Sequence, residues 1–461
     1  MPRMRSPIAT TLLDSIRTRR ARAGVIGLGY VGLPLAVELS RAGFTTTGID
    51  LDSEKVRAIN AGRSYIDDVP SRHVSELRAA NRLRASTNFD VVAQLDTLNI
   101  CVPTPLRKTK DPDLSFIVAA TEAVAMRLHP GMLIVLESTT YPGTTDELVL
   151  PILQSTGLKA GSDFFLAFSP ERIDPGNQKF QTRNVPKVVG GVSSDCTQLA
   201  TALYEGAIET VVPVSSPRVA EMVKLLENTF RAVNIGLINE IALMCDRLGI
   251  DVWEVVRAAA TKPFGFMPFH PGPGLGGHCI PVDPFYLSWK ARQSGFEARF
   301  IELAGAVNSA MPHHVLSLIA DALNTLQLSV NGSRVLVAGV SYKRDVDDIR
   351  ESPALDLLGL LQARGADLAY SDPHVPHLSG AMWPSGSDLT SVDLEAVAPG
   401  TYDCVVIVTE HSKFDYEQIQ RIGKTVVDTR NAIKNPGAHV MRLGAPRTSR
   451  SAASELAPVA V

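Results

Sequence analysis

Residues 22–50 constrain this chain more than any other stretch. A short apolar run at 23–26 leads into Gly27-Leu28-Gly29-Tyr30-Val31-Gly32, then into an amphipathic helical stretch at 33–42, then into a second strand pattern at 45–50 that ends on Asp50. A strand that turns on glycines into a helix and returns as another strand begins a βαβ unit, and that unit commits the chain to a parallel sheet. In such a turn the first glycine permits the tight bend, the second lets a pyrophosphate approach the backbone, and the third allows close helix packing. The helix N-terminal amides then face the phosphates. Asp50 stands about 20 residues on, where a carboxylate holds ribose hydroxyls. An acid there favours NAD and repels the extra phosphate of NADP. Gly27, Gly29, Gly32 and Asp50 are therefore the candidate cofactor residues. The alternative is a plain strand-to-helix turn.

The alternation continues. Apolar strand candidates follow at 97–102, 133–136 and 164–168, so residues 22–215 read as one doubly wound domain. From 216 the period changes to helical: Met222, Leu225, Leu226, Phe230, Val233, Leu237, Ile241 recur with only Gly236 interrupting. This predicts one long helix or a tight pair, apolar enough for burial or a subunit interface. Residues 216–325 form a central helical segment with a further helix candidate at 312–326. Strand patterns restart at 333–339, 367–370, 404–408 and 425–428, giving a second Rossmann-like domain over 326–445. Residues 1–21 read as a flexible basic tail and 446–461 as a flexible Ala/Ser-rich tail. The expected fold class is α/β: two Rossmann-like doubly wound domains joined by a central helical domain.

A chain of 461 residues exceeds a single core, in keeping with that division. The net charge of -3 gives no sign of nucleic-acid binding. No apolar run is long enough for a membrane span, and the N-terminus lacks a signal-peptide core, so a cytoplasmic location is expected. The five cysteines are odd in number and scattered, with neither metal-ligand spacing nor a disulfide framework. Reduced thiols and no metal are expected.

One thiol stands apart. Cys279 follows Gly274, Gly276 and Gly277, which strip side chains from its approach and leave room for substrate. Asp283 lies four residues on and can act as a base or as a partner for Lys224. Lys224 and Asn228 share one helix face, where an amine and an amide can hold an oxyanion. A buried structural cysteine and a solvated helix face are the alternatives. Three loops follow strands, carrying Val102-Pro103-Thr104-Pro105, Glu137-Ser138-Thr139-Thr140 and Ser169-Pro170-Glu171-Arg172. Ligands gather at such strand ends, although Pro and Ser also serve ordinary turns. In the last domain Lys343, Arg350 and Arg430 follow strand patterns and could grip a diphosphate or pair with neighbouring acids.

Together these motifs resemble the UDP-glucose/GDP-mannose dehydrogenase family over residues 22–435. The likeness rests on the glycine loop with Asp50, Cys-Val-Pro-Thr-Pro at 101–105, Glu-Ser-Thr-Thr-Tyr-Pro-Gly at 137–143, Lys224 with Asn228, Gly-Gly-His-Cys with Asp283, and Gly-Val-Ser-Tyr-Lys at 339–343. The stretches at 64–70, 169–177 and 270–287 are similar to the UDP-N-acetylglucosamine 6-dehydrogenase branch. Pro175 stands where the UDP-glucose branch carries a second glutamate. The resemblance implies Cys279 as nucleophile, Lys224 and Asn228 as oxyanion donors, Asp283 as the water-positioning group, and Glu171 as base with Thr139 nearby. It implies that Thr104 and Arg350 contact NAD, and that Lys343, Arg430 and the loop at Gly276 contact the UDP-sugar. It also implies a homodimer or larger assembly through the central helices. The implied reaction is a four-electron oxidation of a UDP-sugar C6 hydroxymethyl for surface polysaccharide precursors. UDP-N-acetylmannosamine or UDP-glucose is the alternative substrate, and a two-electron hydroxyacid or phosphogluconate-type dehydrogenase the alternative enzyme. An inactive NAD-binding scaffold is the remaining one.

Overall fold

The computed structural model describes residues 6–105, 111–174, 177, 179–277, 279–383 and 387–446. Pro175, His278 and residues 447–461 of the expected C-terminal tail lie outside the described residues. The chain divides into two compact units, Met1–Asn228 with Val282–Glu297, and Thr229–Pro281 with Ala298–Val461. The 216–325 segment is thus shared between the units.

The first unit is built on eight strands: β1 Arg22–Ile26, β2 Thr45–Ile49, β3 Leu83–Ser86, β4 Thr97–Ile100, β5 Leu133–Leu136, β6 Phe165–Phe168, β7 Lys187–Gly191 and β8 Val211–Val214. Their order is β3-β2-β1-β4-β5-β6-β7-β8. Val25 lies opposite Gly48 on one side and Asn99 on the other, so the direction of winding reverses between β1 and β4. Such a reversal opens a crevice above the strand C-termini. β5 (Leu-Ile-Val-Leu) and β6 (Phe-Leu-Ala-Phe) are buried at every residue, because helices cover both faces of a parallel sheet. Among the described residues of this sheet only the β6–β7 pair is antiparallel. The expectation of uniform strand–helix alternation did not foresee β7, which follows a loop rather than a crossover helix.

The N-terminal expectation is corrected. Residues Pro7–Arg17 form a helix capped by Ser6, whose side chain accepts the Ala9 amide. Ala9, Leu12, Leu13 and Ile16 recur at helical spacing and are buried in the main core of this unit. The arginines nearby are charged but the apolar stripe decides the outcome.

The second unit holds five parallel strands in the order β10-β9-β13-β14-β15. They are β9 Arg334–Ala338, β10 Asp367–Ser371, β13 Tyr402–Ile407, β14 Gly423–Asp428 and β15 Val440–Arg442; the short hairpin β11 His377–Leu378 with β12 Leu389–Thr390 stands apart. Winding reverses between β9 and β13, as in the first sheet.

Residues Pro217–Leu248 form one helix rather than a pair. At 32 residues it is about 48 Å long. Gly236 lets a second helix, Arg299–Asn324, come close: a Cβ there would lie 3.1 Å from Ala304 Cα. A buried amide chain joins the two helices. Asn239 donates to Asn308 (2.9 Å), and Asn308 donates to the Ala232 carbonyl (3.1 Å). The 312–326 expectation took Pro312 for a helix start. Pro312 instead lies inside the longer helix, because Met311, Val315, Leu316 and Ile319 pack into the core around it. Among the described residues no helix is long and apolar enough to cross a membrane.

Candidate active site

In the first unit the glycine loop closes as the residue types require. Gly27 has φ +86, and a Cβ on it would sit 2.6 Å from the Cys101 carbonyl. A Cβ on Gly32 would overlap the Gly27 carbonyl oxygen, so the helix Gly32–Arg41 can start only on glycine. Gly29 differs: nothing lies within 4 Å of its Cβ position. That open face above a helix N-terminus is the cradle a pyrophosphate needs. Asp50 follows β2 directly and accepts from the Leu28 amide (2.7 Å) and the Asp52 amide (2.9 Å). Tyr65 donates its hydroxyl to the Leu28 carbonyl (2.6 Å), and burial together with Asp50 and Asp52 pushes that hydroxyl above the ordinary tyrosine range. The loop and its acid therefore form one hydrogen-bonded piece that fits a dinucleotide.

Four of the expected catalytic residues meet in this unit. Asn228 donates to the Asp283 carboxylate at 2.5 Å. Lys224, one helical turn earlier, is buried and donates to the Glu171 carbonyl at 2.9 Å. Asp283 opens the helix Asp283–Gln293 and is buried. Burial pushes its carboxyl up to about 6, while Lys224 and Asn228 pull the other way. Thr139 follows β5 and is half-buried. The Thr104 carbonyl accepts the Tyr286 hydroxyl, which pins the loop after β4. The loop after β5 is fastened by Glu221, buried, which accepts the amides of Gly143 (2.6 Å) and Thr145 (2.9 Å). Burial raises the Glu221 carboxyl.

A second cluster lies beneath, and the sequence reading did not name it. Glu137, at the end of β5, accepts from Asn99 (2.7 Å), Tyr204 (2.6 Å) and Lys187 (2.7 Å). Lys187 also reaches Glu171 at 3.3 Å. Burial acts to lower the Lys187 ammonium, but Glu137 and Glu171 outweigh it and hold it above the usual lysine value. Burial, with Glu137 beside it, pushes the Cys101 thiol well up. A lysine opening the apolar run Lys-Val-Val-Gly-Gly was the available signal: a charge in a fully buried strand needs a partner.

In the second unit Cys279 is half-buried. The glycines before it do not leave open space as expected. A Cβ on Gly276 would meet Tyr342 Cβ at 2.6 Å, and one on Gly277 would meet the Tyr342 ring at 2.8 Å. The Gly277 amide donates to the Arg350 carbonyl (3.0 Å). The glycines serve close packing of this loop onto the turn after β9. Gly272 likewise lies against Arg430, where an added Cβ would sit 2.7 Å from the guanidinium, and its amide donates to Asn239 (2.9 Å). Arg430 also donates to the Val408 carbonyl (2.8 Å) at the end of β13. The Lys343 carbonyl accepts the Ser341 hydroxyl (2.9 Å), which places Lys343 in the turn after β9. The Arg350 guanidinium grips Asp348 through two nitrogens (2.9 and 2.6 Å). Among the described residues Asp345, His374 and His411 come close enough to share an ion. His411 Nδ1, however, already accepts the Asp345 amide (3.0 Å), and Nε2 faces Asp372 (3.1 Å). That arrangement is a hydrogen-bonded hub closing the turn.

Comparison with known proteins follows this geometry. Residues 21–208 match the NAD binding domain of the UDP-glucose/GDP-mannose dehydrogenase family, 218–310 its central domain and 336–435 its UDP binding domain. The chain is 36% identical to a UDP-N-acetyl-D-glucosamine 6-dehydrogenase of Pseudomonas aeruginosa, over 87% of this chain and 94% of the relative. It is 35% identical to an NDP-N-acetyl-D-galactosaminuronic acid dehydrogenase of Ralstonia nicotianae, over 88% and 95%. Among solved structures, a UDP-D-ManNAc dehydrogenase from Pyrococcus horikoshii superposes with a TM-score of 0.84 at 32% identity, covering 93% of this chain and all of that one.

Proposed function

From the premise that the chain belongs to the UDP-glucose/GDP-mannose dehydrogenase family and uses NAD, we propose that it oxidises the C6 hydroxymethyl of a UDP-N-acetylhexosamine, foremost UDP-N-acetyl-D-glucosamine, to the uronic acid. The observation that carries this reading is the Lys224–Asn228–Asp283 constellation, with Lys224 and Asp283 buried and Lys224 anchored on the Glu171 carbonyl. The relatives share an N-acetylated sugar in their names and differ in which one. Residues 270–287 favour the glucosamine branch.

Bound NAD+ supplies the oxidising power, so that one hydroxymethyl, two NAD+ and one water give one carboxylate, two NADH and three protons. Cys279 Sγ forms a bond to the aldehyde carbon as a thiohemiacetal, and the C–S bond breaks when water cleaves the later thioester. Lys224 and Asn228 donate to the C6 oxygen as charge builds on it, an effect of about 3–4 kcal/mol for such a donor. Asp283 orients the water, and Glu171, with Thr139 beside its loop, takes the water's proton. Gly27, Gly29, Gly32, Asp50 and Thr104 hold the cofactor, with Arg350. Lys343 and Arg430 hold the diphosphate end of the substrate, with the Gly276 loop. The reading places the enzyme with the cytoplasmic NAD pool, supplying precursors for surface polysaccharide.

We further propose that the chain works as a homodimer or larger assembly through the 217–248 helix. Met222, Leu226, Phe230, Leu237, Met244 and Leu248 are exposed along it at intervals of four and seven. Such a stripe favours a subunit contact.

The deciding experiment measures kcat/KM for UDP-GlcNAc, UDP-ManNAc, UDP-GalNAc and UDP-Glc as NADH formed at saturating NAD+. A preference for UDP-GlcNAc with two NADH per sugar supports the reading. Preference for another sugar overturns the substrate, and one NADH per sugar overturns the four-electron chemistry in favour of a two-electron dehydrogenase.

A further inference from the structure

We propose that Lys187 is a positioning residue for the Glu171 carboxylate, a role that rests on Glu171 acting as the base of acid release. Lys187 opens β7, the strand that runs antiparallel to its neighbour β6. Its side chain is 5% exposed, and the Glu137 and Glu171 side chains it meets are 0% and 9% exposed. Three buried charges in one pocket are costly unless each is held. Glu137 is held by three donors: Asn99, Tyr204 and Lys187. That firm pair fixes where the ammonium stands, with the Tyr204 ring 5.1 Å away as a further wall.

The second reach of Lys187 then acts on Glu171. Glu171 Oε1 accepts the amides of Arg172 (2.8 Å) and Ile173 (2.9 Å), while Oε2 faces Lys187 at 3.3 Å. Each carboxylate oxygen is thus located by a separate element, one by the turn after β6 and one by β7. The same residue offers its main-chain carbonyl to Lys224. Lys187 therefore sets the side chain of a residue whose backbone sets Lys224. Two carboxylates in one dry pocket repel, and a single ammonium between them lets them coexist. A neutral donor could hold the geometry but not offset that repulsion.

The test follows NADH release and acid release separately by rapid mixing, with the UDP-sugar found active in the panel, from acidic to alkaline pH. Lys187→Met is compared with Lys187→Arg and with the double variant Lys187→Met/Glu137→Gln, which removes the opposing charge and keeps the pocket foldable. In the Met variants acid release slows at least about tenfold more than the first hydride transfer. The pH of half-maximal acid release moves upward by about one unit or more, and Lys187→Arg restores it in part. If both steps in the folded double variant fall together with an unmoved pH profile, Lys187 only packs and the proposal is overturned. Glu171→Gln separates the two claims. If it releases acid at the wild-type rate, the base assignment fails and this proposal fails with it. If it abolishes acid release while the Lys187 variants keep the wild-type profile, the proposal about Lys187 alone is overturned.

Discussion

Asp283 combines burial with a hydrogen bond from Asn228 and the nearby Lys224 charge, and burial dominates, leaving its carboxyl at about 6. Its folded value lies above the unfolded 3.8. The protonated acid is therefore favoured by folding below both values, and that contribution is lost as pH rises through about 6. That rise corresponds to at most about 3 kcal/mol. Asp283→Asn, which keeps an acceptor for Asn228, should raise the thermal midpoint at pH above 6 relative to wild type and leave it unchanged in acid. Its turnover should fall by at least about a hundredfold. Unfolding scans across pH check the first part, and equal midpoints at all pH would remove the assigned cost. Asp50 makes a different case, because it holds the Leu28 amide besides its proposed role toward the cofactor. Asp50→Ala should weaken NAD binding by about tenfold or more and cost about 1–3 kcal/mol of stability. Asp50→Asn should keep most of the stability and still lose affinity. NAD titration of both variants decides; unchanged affinity in Asp50→Ala would move the cofactor elsewhere.

The loop and helix elements divide the glycines by purpose. Gly32 is sterically obligatory and Gly29 is not, since of these two Gly29 faces open space and a Cβ on Gly32 would overlap backbone. Gly29→Ala should fold with stability within about 0.5 kcal/mol of wild type while NAD affinity falls. Gly32→Ala should lose several kcal/mol, because a Cβ there overlaps backbone. Calorimetry alongside NAD titration distinguishes them, and equal damage from both would refute the open cradle. In the second unit Asn308→Leu should cost about 2–4 kcal/mol, leaving Asn239 and the Ala232 carbonyl without their buried partner.

At the scale of the whole molecule, two assays address the reaction and the assembly. Cys279→Ser should stop acid formation, and a variant that still made acid near the wild-type rate would exclude the thioester route. Leu237→Glu, at the centre of the exposed stripe, should lower the assembly state in sedimentation without unfolding the chain. An unchanged sedimentation coefficient would place the interface elsewhere.

Much of this was legible in the residues because short-range chemistry wrote it. The glycine turn, the strand runs of β1, β2, β4, β5 and β9, and the long helical period after 216 each depend on neighbours within one element. Lys224 and Asn228 were readable as a pair because four residues make one helical turn. Other features depend on contacts that sequence spacing does not encode. The Pro7–Arg17 helix looked like a basic tail until its apolar stripe found a core to cover. Pro312 looked like a helix start until packing carried a helix through it. The glycines before Cys279 looked like an opening, but Tyr342 fills the space beside two of them. Lys187 lies 50 residues from Glu137 in sequence and 2.7 Å from it in space. The sequence by itself determined the α/β class, the dinucleotide loop and the placement of Lys224 and Asn228 on one helix face, because periodicity and local sterics act over a few residues. The tertiary structure alone decided which charges share a dry pocket, because burial and distance set the strength of a charge pair and neither is a property of the chain's order.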